Sequence, residues 1–282
     1  MNKWIAGARP KTLPAAIAPV AVATALAGES WDPVLALLAL LVSLALQVGV
    51  NYANDYSDGV KGTDDNRIGP MRLVASGAAP AHHVKSAAYI ALGFGAVIGL
   101  ILALQTSLWL IAVGALAIAA AWGYTGGKNP YGYFGFGELS VFVFFGLVAT
   151  MGTYYAQTGE LTLNSLLIAI PMGCLSCALL AINNLRDRAA DELVGKRTLA
   201  VRLGDSSARK AFISLLLIAH ISVLFLLQPW TLLTLLLLPM TFSLIKAIRA
   251  GAQGAQLIPL LGKTGKLQLR FAILLSLGLL LS

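Results

Sequence analysis

The sequence predicts an all-α integral membrane protein, a single domain over residues 1–282 built from nine membrane-spanning helices. Three observations carry that expectation. Hydrophobic residues make up 58% of the chain and charged ones only 11%, where a soluble domain averages roughly 25% charged. Apolar stretches close to the roughly 20 residues that cross a bilayer recur along the whole length. No period-2 alternation accompanies them, and backbone polar groups in lipid must be satisfied within the segment, so helices rather than barrel strands are expected.

The spans run at roughly 12–28, 33–54, 85–104, 107–124, 138–157, 163–184, 208–227, 230–249 and 267–282. No cleavable signal pattern precedes the first, which follows Met1-Asn2-Lys3-Trp4. The second closes on Asn54-Asp55-Tyr56-Ser57-Asp58 and a long polar loop containing Gly62-Thr63-Asp64-Asp65. His82 and His83 follow Pro80 at the entry to the third and read as a polar helix start. The fourth leads into an aromatic and glycine-rich stretch, Tyr124 to Gly137, which is either an interfacial belt or, through Lys128 and Tyr131, part of a site. Cys174 and Cys177 lie inside the sixth. Their spacing lacks the four ligands and polar access of a metal site, so small-residue helix packing is the expectation. That span closes on Asn183-Asn184-Leu185-Arg186-Asp187-Arg188-Ala189-Ala190-Asp191, then Gly195-Lys196-Arg197.

The net charge of +8 is a sidedness signal. All 20 Lys and Arg fall at the N-terminus or in and around alternate loops, on one side of the spans, whereas the opposite loops carry Glu29, Asp32 and Glu160. The positive-inside rule then places the N-terminus and both acidic clusters in the cytoplasm and the C-terminus outside. A nucleic-acid binder would present clustered bases on a soluble face, and the sequence offers no such face.

Carboxylates at the mouth of membrane spans are costly unless something binds them. Residues three and four apart share a helix face. Gln47, Asn51, Asn54, Asp55 and Asp58 therefore make one polar stripe, and Ser176, Asn183, Asp187 and Asp191 another. Both should face a cavity in the bundle. Each cluster ends a helix, where the macrodipole disfavours negative charge and a cation compensates. Magnesium suits this role, because it binds one or two carboxylates together with phosphate oxygens. Candidate metal ligands are Asp55, Asp58, Asp64, Asp187 and Asp191, with Lys128, Arg186, Lys196 and Arg197 as donors to a diphosphate. An apolar cavity beneath would take a hydrocarbon tail. By contrast, Asp65, Glu192, Arg188, Arg209 and Lys210 read as solvated charges that set topology.

These motifs resemble those of the UbiA superfamily of intramembrane aromatic prenyltransferases, in which an N-D-x-x-D motif follows the second span and D-x-x-x-D the sixth. Here they read Asn54-Asp55-x-x-Asp58 and Asp187-x-x-x-Asp191. The likeness extends over nearly the whole chain, including Ala8-Arg9-Pro10-Lys11-Thr12-Leu13-Pro14. It implies nine helices around a central cavity. Arg67-Ile68-Gly69-Pro70, Asn129-Pro130-Tyr131-Gly132-Tyr133 and Gly195 to Ala200 are most similar to the branch that prenylates 1,4-dihydroxy-2-naphthoate on the way to menaquinone. Gly62 stands where members acting on 4-hydroxybenzoate have a third aspartate, which Asp64 would replace.

The resemblance implies that a polyprenyl diphosphate ionises with magnesium and that the naphthoate ring attacks at the carbon bearing its carboxylate. Carbon dioxide and a proton are then lost, leaving demethylmenaquinol. Asn51, Asn54, Asn183, Asn184 and Tyr131 would contact substrate, and Arg67 or Arg72 would receive the carboxylate. A sister enzyme with another aromatic acceptor is the nearest alternative. A cation-coupled transporter needs polar residues reaching the far side of the membrane, and the stripes stop partway. Membrane lipid is the expected surrounding partner. Prenyl chain length is not written in any single residue.

Overall fold

The computed structural model describes residues 2–64 and 69–282, and every regular element among them is helical. α1 (Lys3–Ala8) and α2 (Pro14–Ala27) are joined by a 3-10 turn at Pro10–Thr12. The segments Lys3–Thr12 and Pro14–Ser30 meet at a 51° bend. Pro10 and Pro14 lack the N–H that would continue the helix, and Arg9 takes a left-handed backbone with φ 53°. α3 (Pro33–Val60) starts where Asp32 accepts the Val34 and Leu35 N–H groups at 2.7 and 2.9 Å, with Pro33 in the first helical position. α4 (Ala81–Gln105) and α5 (Trp109–Gly123) follow.

α6 (Gly137–Val141) continues through a π-helical stretch, Phe142–Val148, into α7 (Ala149–Thr158). α8 (Leu163–Leu193) opens on a reciprocal cap between Thr162 and Ser165. α9 (Leu199–Val223) breaks at Gly204, whose φ of 74° is left-handed. A 3-10 segment, Pro229–Leu237, leads into α10 (Leu238–Arg249), and α11 (Leu257–Leu280) completes the chain.

Six segments are long and apolar enough to cross a bilayer, and the bent pair at the N-terminus makes a seventh. The two remaining spans of the expected nine correspond to α5, only 15 residues long, and α11, which carries Lys263, Lys266 and Arg270. Helix boundaries also differ from the sequence reading at the polar ends. α3 runs on to Val60 and α8 to Leu193, so both aspartate motifs are helical throughout.

The central element is α8. Inside the protein lies 72% of its apolar stretch, against 22% for α3 and α4. α9 and α11 pack on one side of it around Phe212, Leu216, Leu267 and Phe271. On the other side Gly146 of the π stretch meets Gly173 of α8. A β-carbon at Gly146 would lie 2.6 Å from the Gly173 Cα, closer than atoms approach, so only glycine permits this spacing. Cys174 and Cys177 are buried and unbonded to each other.

Candidate active site

The lower part of the α3 stripe is held by the N-terminal bend. Gln47 and Asn51 donate to the Thr12 hydroxyl at 3.0 and 3.2 Å, and Asn51 donates to the Ala8 carbonyl at 2.9 Å. One turn higher, Asn54 Oδ1 accepts from the Thr125 hydroxyl at 2.7 Å. Asp58, almost wholly buried, accepts from the Tyr133 hydroxyl at 2.7 Å and from Lys196 Nζ at 3.2 Å. Asp55 is committed elsewhere. Its two oxygens accept the Leu73 and Val74 backbone N–H groups at 2.9 and 3.0 Å, anchoring the loop after α3.

α8 brings the second motif to the same place. After Leu193 the chain turns at Gly195, whose φ of 75° favours glycine, and the Lys196 amide closes on the Asp191 carbonyl at 2.8 Å. The turn sends the Lys196 side chain back over the motifs, 3.8 Å from Asp191 and 3.2 Å from Asp58. One ammonium thus touches a carboxylate from each motif. Burial alone would lower the Lys196 pKa, but Asp58 and Asp191 outweigh it and hold the pKa above its ordinary value. Tyr133 is pushed upward by burial and by Asp58, so its hydroxyl remains a donor. Its ring lies 4.8 Å from Lys61 Nζ and 5.0 Å from Lys196 Nζ, a platform for both cations.

Other expected residues are distributed around this point. Arg186 makes a two-pronged pair with Asp187, both contacts at 2.7 Å, and its guanidinium packs under Gly69. Arg72, buried, pairs with Asp64 at 3.1 Å. Asn184 leaves the site altogether, donating to Glu138 at 2.9 Å. Asn183 lines the cavity below. Tyr131 does too, although its hydroxyl is bonded to the Ala120 carbonyl and near Ser140, each at 2.8 Å. Lys128 and Arg197 are exposed. Arg67 lies outside the described residues. Gly62, at φ 71°, occupies a backbone position that disfavours an aspartate.

Beneath the motifs is an apolar cavity of about 260 Å³. Leu102, Val113, Phe144 and Phe145 typify its wall, and Gln47, Asn51 and Asn54 form its polar strip. Among the described residues Arg9 is the one charged side chain that lines it.

The described residues hold no group of three or more carboxylate, histidine or cysteine ligands. Magnesium does not require one: two carboxylates with further oxygens from substrate and water suffice. Asp58 and Asp191, close enough to share one ammonium, with the Asn54 amide a turn from Asp58, form a hard oxygen set that fits this ion. Sequence reasoning missed Tyr133, Thr125 and Lys61 as members of the site. All three act through the loops after α3 and α5, and only the position of Tyr133 beside Tyr131 hinted at it.

Fold and site together define a polytopic helical membrane protein with two aspartate motifs closed over an apolar chamber. The chain belongs to the UbiA prenyltransferase family, whose family model matches residues 16–255. It is 50% identical to a Mycobacterium tuberculosis protein named 1,4-dihydroxy-2-naphthoate octaprenyltransferase, over 96% of this chain and 94% of that one. An Escherichia coli protein of the same name is 39% identical, over 99% and 95%. Among solved structures, a UbiA homologue from Archaeoglobus fulgidus bound to GPP and Mg2+ superposes with a TM-score of 0.66 at 15% identity, covering 98% of this chain and all of that one. That likeness carries the fold.

Proposed function

We propose that this chain transfers a polyprenyl group from a polyprenyl diphosphate to 1,4-dihydroxy-2-naphthoate, with decarboxylation, as a step of menaquinone biosynthesis. The carrying observation is the meeting of Asp58 and Asp191 at Lys196, directly over an apolar cavity. The near full-length likeness to naphthoate octaprenyltransferases supports the acceptor.

Asp58 and Asp191, with Asn54, would hold magnesium. Bound there, it supplies positive charge to the leaving diphosphate. Lys196 adds a charge-assisted donor at the same point, with the exposed Lys128 and Arg197 as further donors to the diphosphate. Breaking the allylic carbon–oxygen bond leaves its electron pair on the diphosphate. The apolar wall excludes water that would otherwise quench the carbon centre to a prenyl alcohol. The polar strip of Gln47, Asn51 and Asn54 faces the ring hydroxyls and holds ring and allylic carbon in reacting geometry.

The membrane arrangement we infer has nine spans. The seven long segments are joined by α5 and by α11, whose cations lie towards one end. The distribution of Lys and Arg favours a cytoplasmic N-terminus and site. Purified protein in detergent, given a polyprenyl diphosphate, magnesium and either 1,4-dihydroxy-2-naphthoate or 4-hydroxybenzoate, tests the reading. A prenylated, decarboxylated naphthalene product that vanishes with chelator or with Asp58→Asn is expected. Product from hydroxybenzoate alone would reassign the acceptor.

A further inference from the structure

A second cavity, of about 350 Å³, lies against a different face of α8 and shares no lining residue with the catalytic one. Its walls include Glu138 of α6, Phe142 of the π stretch, Cys177 and Ala181 of α8, and Ala208 and Ala211 of α9. Both α6 and α9 pack on α8, and the small side chains of α8 and α9 leave the space between them. Protein interiors hold few voids larger than a water, and this one is the size of a small-molecule site. Leu203, Ser214 and Ile218 on its rim are exposed, so it opens on the outer face of α9, one of the segments able to span a bilayer.

One polar group interrupts the apolar wall. Glu138 Oε1 accepts from Asn184 at 2.9 Å, whereas Oε2 is buried with no hydrogen-bond partner among the described residues. The Cys177 thiol donates to the Glu138 backbone carbonyl at 3.1 Å, which ties the first turn of α6 to α8. A buried polar atom without a partner is costly, and prenyl transfer makes no use of this one.

The count of donors selects the ligand. A hydroxyl brings one donor hydrogen, which matches one free oxygen. An ammonium brings three, and Ser214 carries the one other side-chain oxygen on the wall, so a hydrogen is left unsatisfied. Phe142 offers an aromatic face, and the small residues opposite leave room for a flat ring. A phenol uses both features. The reaction proposed above releases such a molecule, a quinol with two ring hydroxyls, into the same membrane.

We propose that this lateral cavity is a second ligand site, which holds the ring of a lipid-soluble quinol with one hydroxyl on Glu138 Oε2. The identity of the ligand as a quinol rests on the acceptor reading above, and the site rests on the cavity and its carboxyl group.

The probe is 2-methyl-1,4-dihydroxynaphthalene, kept reduced under nitrogen. Its dimethyl ether, with the same rings and no donor, is the control. Binding to the purified protein in detergent is followed as a thermal shift against ligand concentration. Glu138→Gln keeps an oxygen for Asn184 and exchanges the free acceptor for an amide donor. Ala211→Leu, outside both aspartate motifs, fills the cavity and leaves Glu138 intact, so a folding defect in one variant does not decide the result. The wild type should bind the quinol and not the ether. In each variant the midpoint concentration should rise about tenfold or more, the scale of one lost hydrogen bond to a charged group. Equal binding of the ether, no binding by the wild type, or binding that survives both variants, as it would in the catalytic cavity, overturns the proposal.

Turnover is not needed for this measurement, so its failure and that of the acceptor reading are separable. Quinol binding lost in both variants of a protein that prenylates another acceptor keeps this site and rejects naphthoate. Turnover of naphthoate without quinol binding rejects this site alone.

Discussion

Tyr133 donates its hydroxyl to Asp58 across 2.7 Å, while two lysine ammonium groups lie within 5.0 Å of its ring. One side chain from the loop after α5 therefore orients a carboxylate of the first motif and supports a cation that reaches the second. The hydrogen bond leaves Asp58 with a fixed face towards any metal, and the ring keeps Lys61 and Lys196 near the mouth.

Tyr133→Phe keeps the ring and removes the donor. A hydrogen bond to a charged group is worth about 1.5–3 kcal/mol, so the magnesium concentration for half-maximal rate should rise about tenfold or more. The KM for prenyl diphosphate should change little. Tyr133→Leu, which also removes the platform, should raise that KM as well. Steady-state titrations of metal and diphosphate distinguish the two variants, and identical behaviour would sink the division of labour between hydroxyl and ring.

Lys196 spans Asp58 and Asp191, so its loss removes a charge from the place where both motifs meet. In Lys196→Gln the expected fall in kcat/KM for prenyl diphosphate is about 100-fold, the scale of a charge-assisted bond. Acceptor KM should stay near the wild-type value. Varying each substrate at saturation of the other measures both, and a rise confined to acceptor KM would show that Lys196 serves the ring instead.

Asp55 predicts a different phenotype from Asp58, though both belong to one motif. Removing the Asp55 carboxylate leaves the Leu73 and Val74 N–H groups without acceptors, at about 1–3 kcal/mol each when buried. Asp55→Ala should therefore lower the melting temperature while folded protein still responds to magnesium and diphosphate. Asp58→Asn should melt near the wild type and lose that response. Differential scanning fluorimetry with and without magnesium diphosphate reads both, and the reverse pattern would make Asp55 a metal ligand.

That contrast marks how far the sequence could be read. Helical spacing put Asn51, Asn54 and Asp58 on one face, and the structure turns all three towards one region, because a 3.6-residue period is local information. Asp55 was grouped with them by the same spacing, four residues from Asn51 and three from Asp58, yet its partners are backbone groups 18 and 19 positions away. Nothing local encodes that contact. Thr125 and Tyr133 escaped for the same reason: their loop joins the site through tertiary packing. Arg9 was visible only as part of a familiar segment, since its left-handed backbone and cavity position arise from the bend. Span ends were misplaced at α3 and α8 because hydropathy stops where polar residues begin, whereas the hydrogen-bonded helix continues.

The wall opposite α3 supplies a last test, of packing rather than chemistry. Gly146 and Gly173 bring the π stretch against α8, and a β-carbon on Gly146 would meet the Gly173 backbone at 2.6 and 3.1 Å. Backbone atoms in the middle of two long helices cannot rotate aside, so Gly146→Ala must separate the helices. Such overpacking costs about 1–3 kcal/mol. Phe144, Phe145 and Val148 on one element and Leu179, Leu180 and Asn183 on the other line the same cavity, so the separation also widens it. Gly146→Ala should lower the melting temperature by several degrees and release more prenyl alcohol per coupled product, because a looser chamber admits water to the allylic centre. Chromatographic quantitation of the two products, alongside melting curves, checks both halves. A variant that melts lower yet keeps the wild-type product ratio would show that the seal does not depend on this contact.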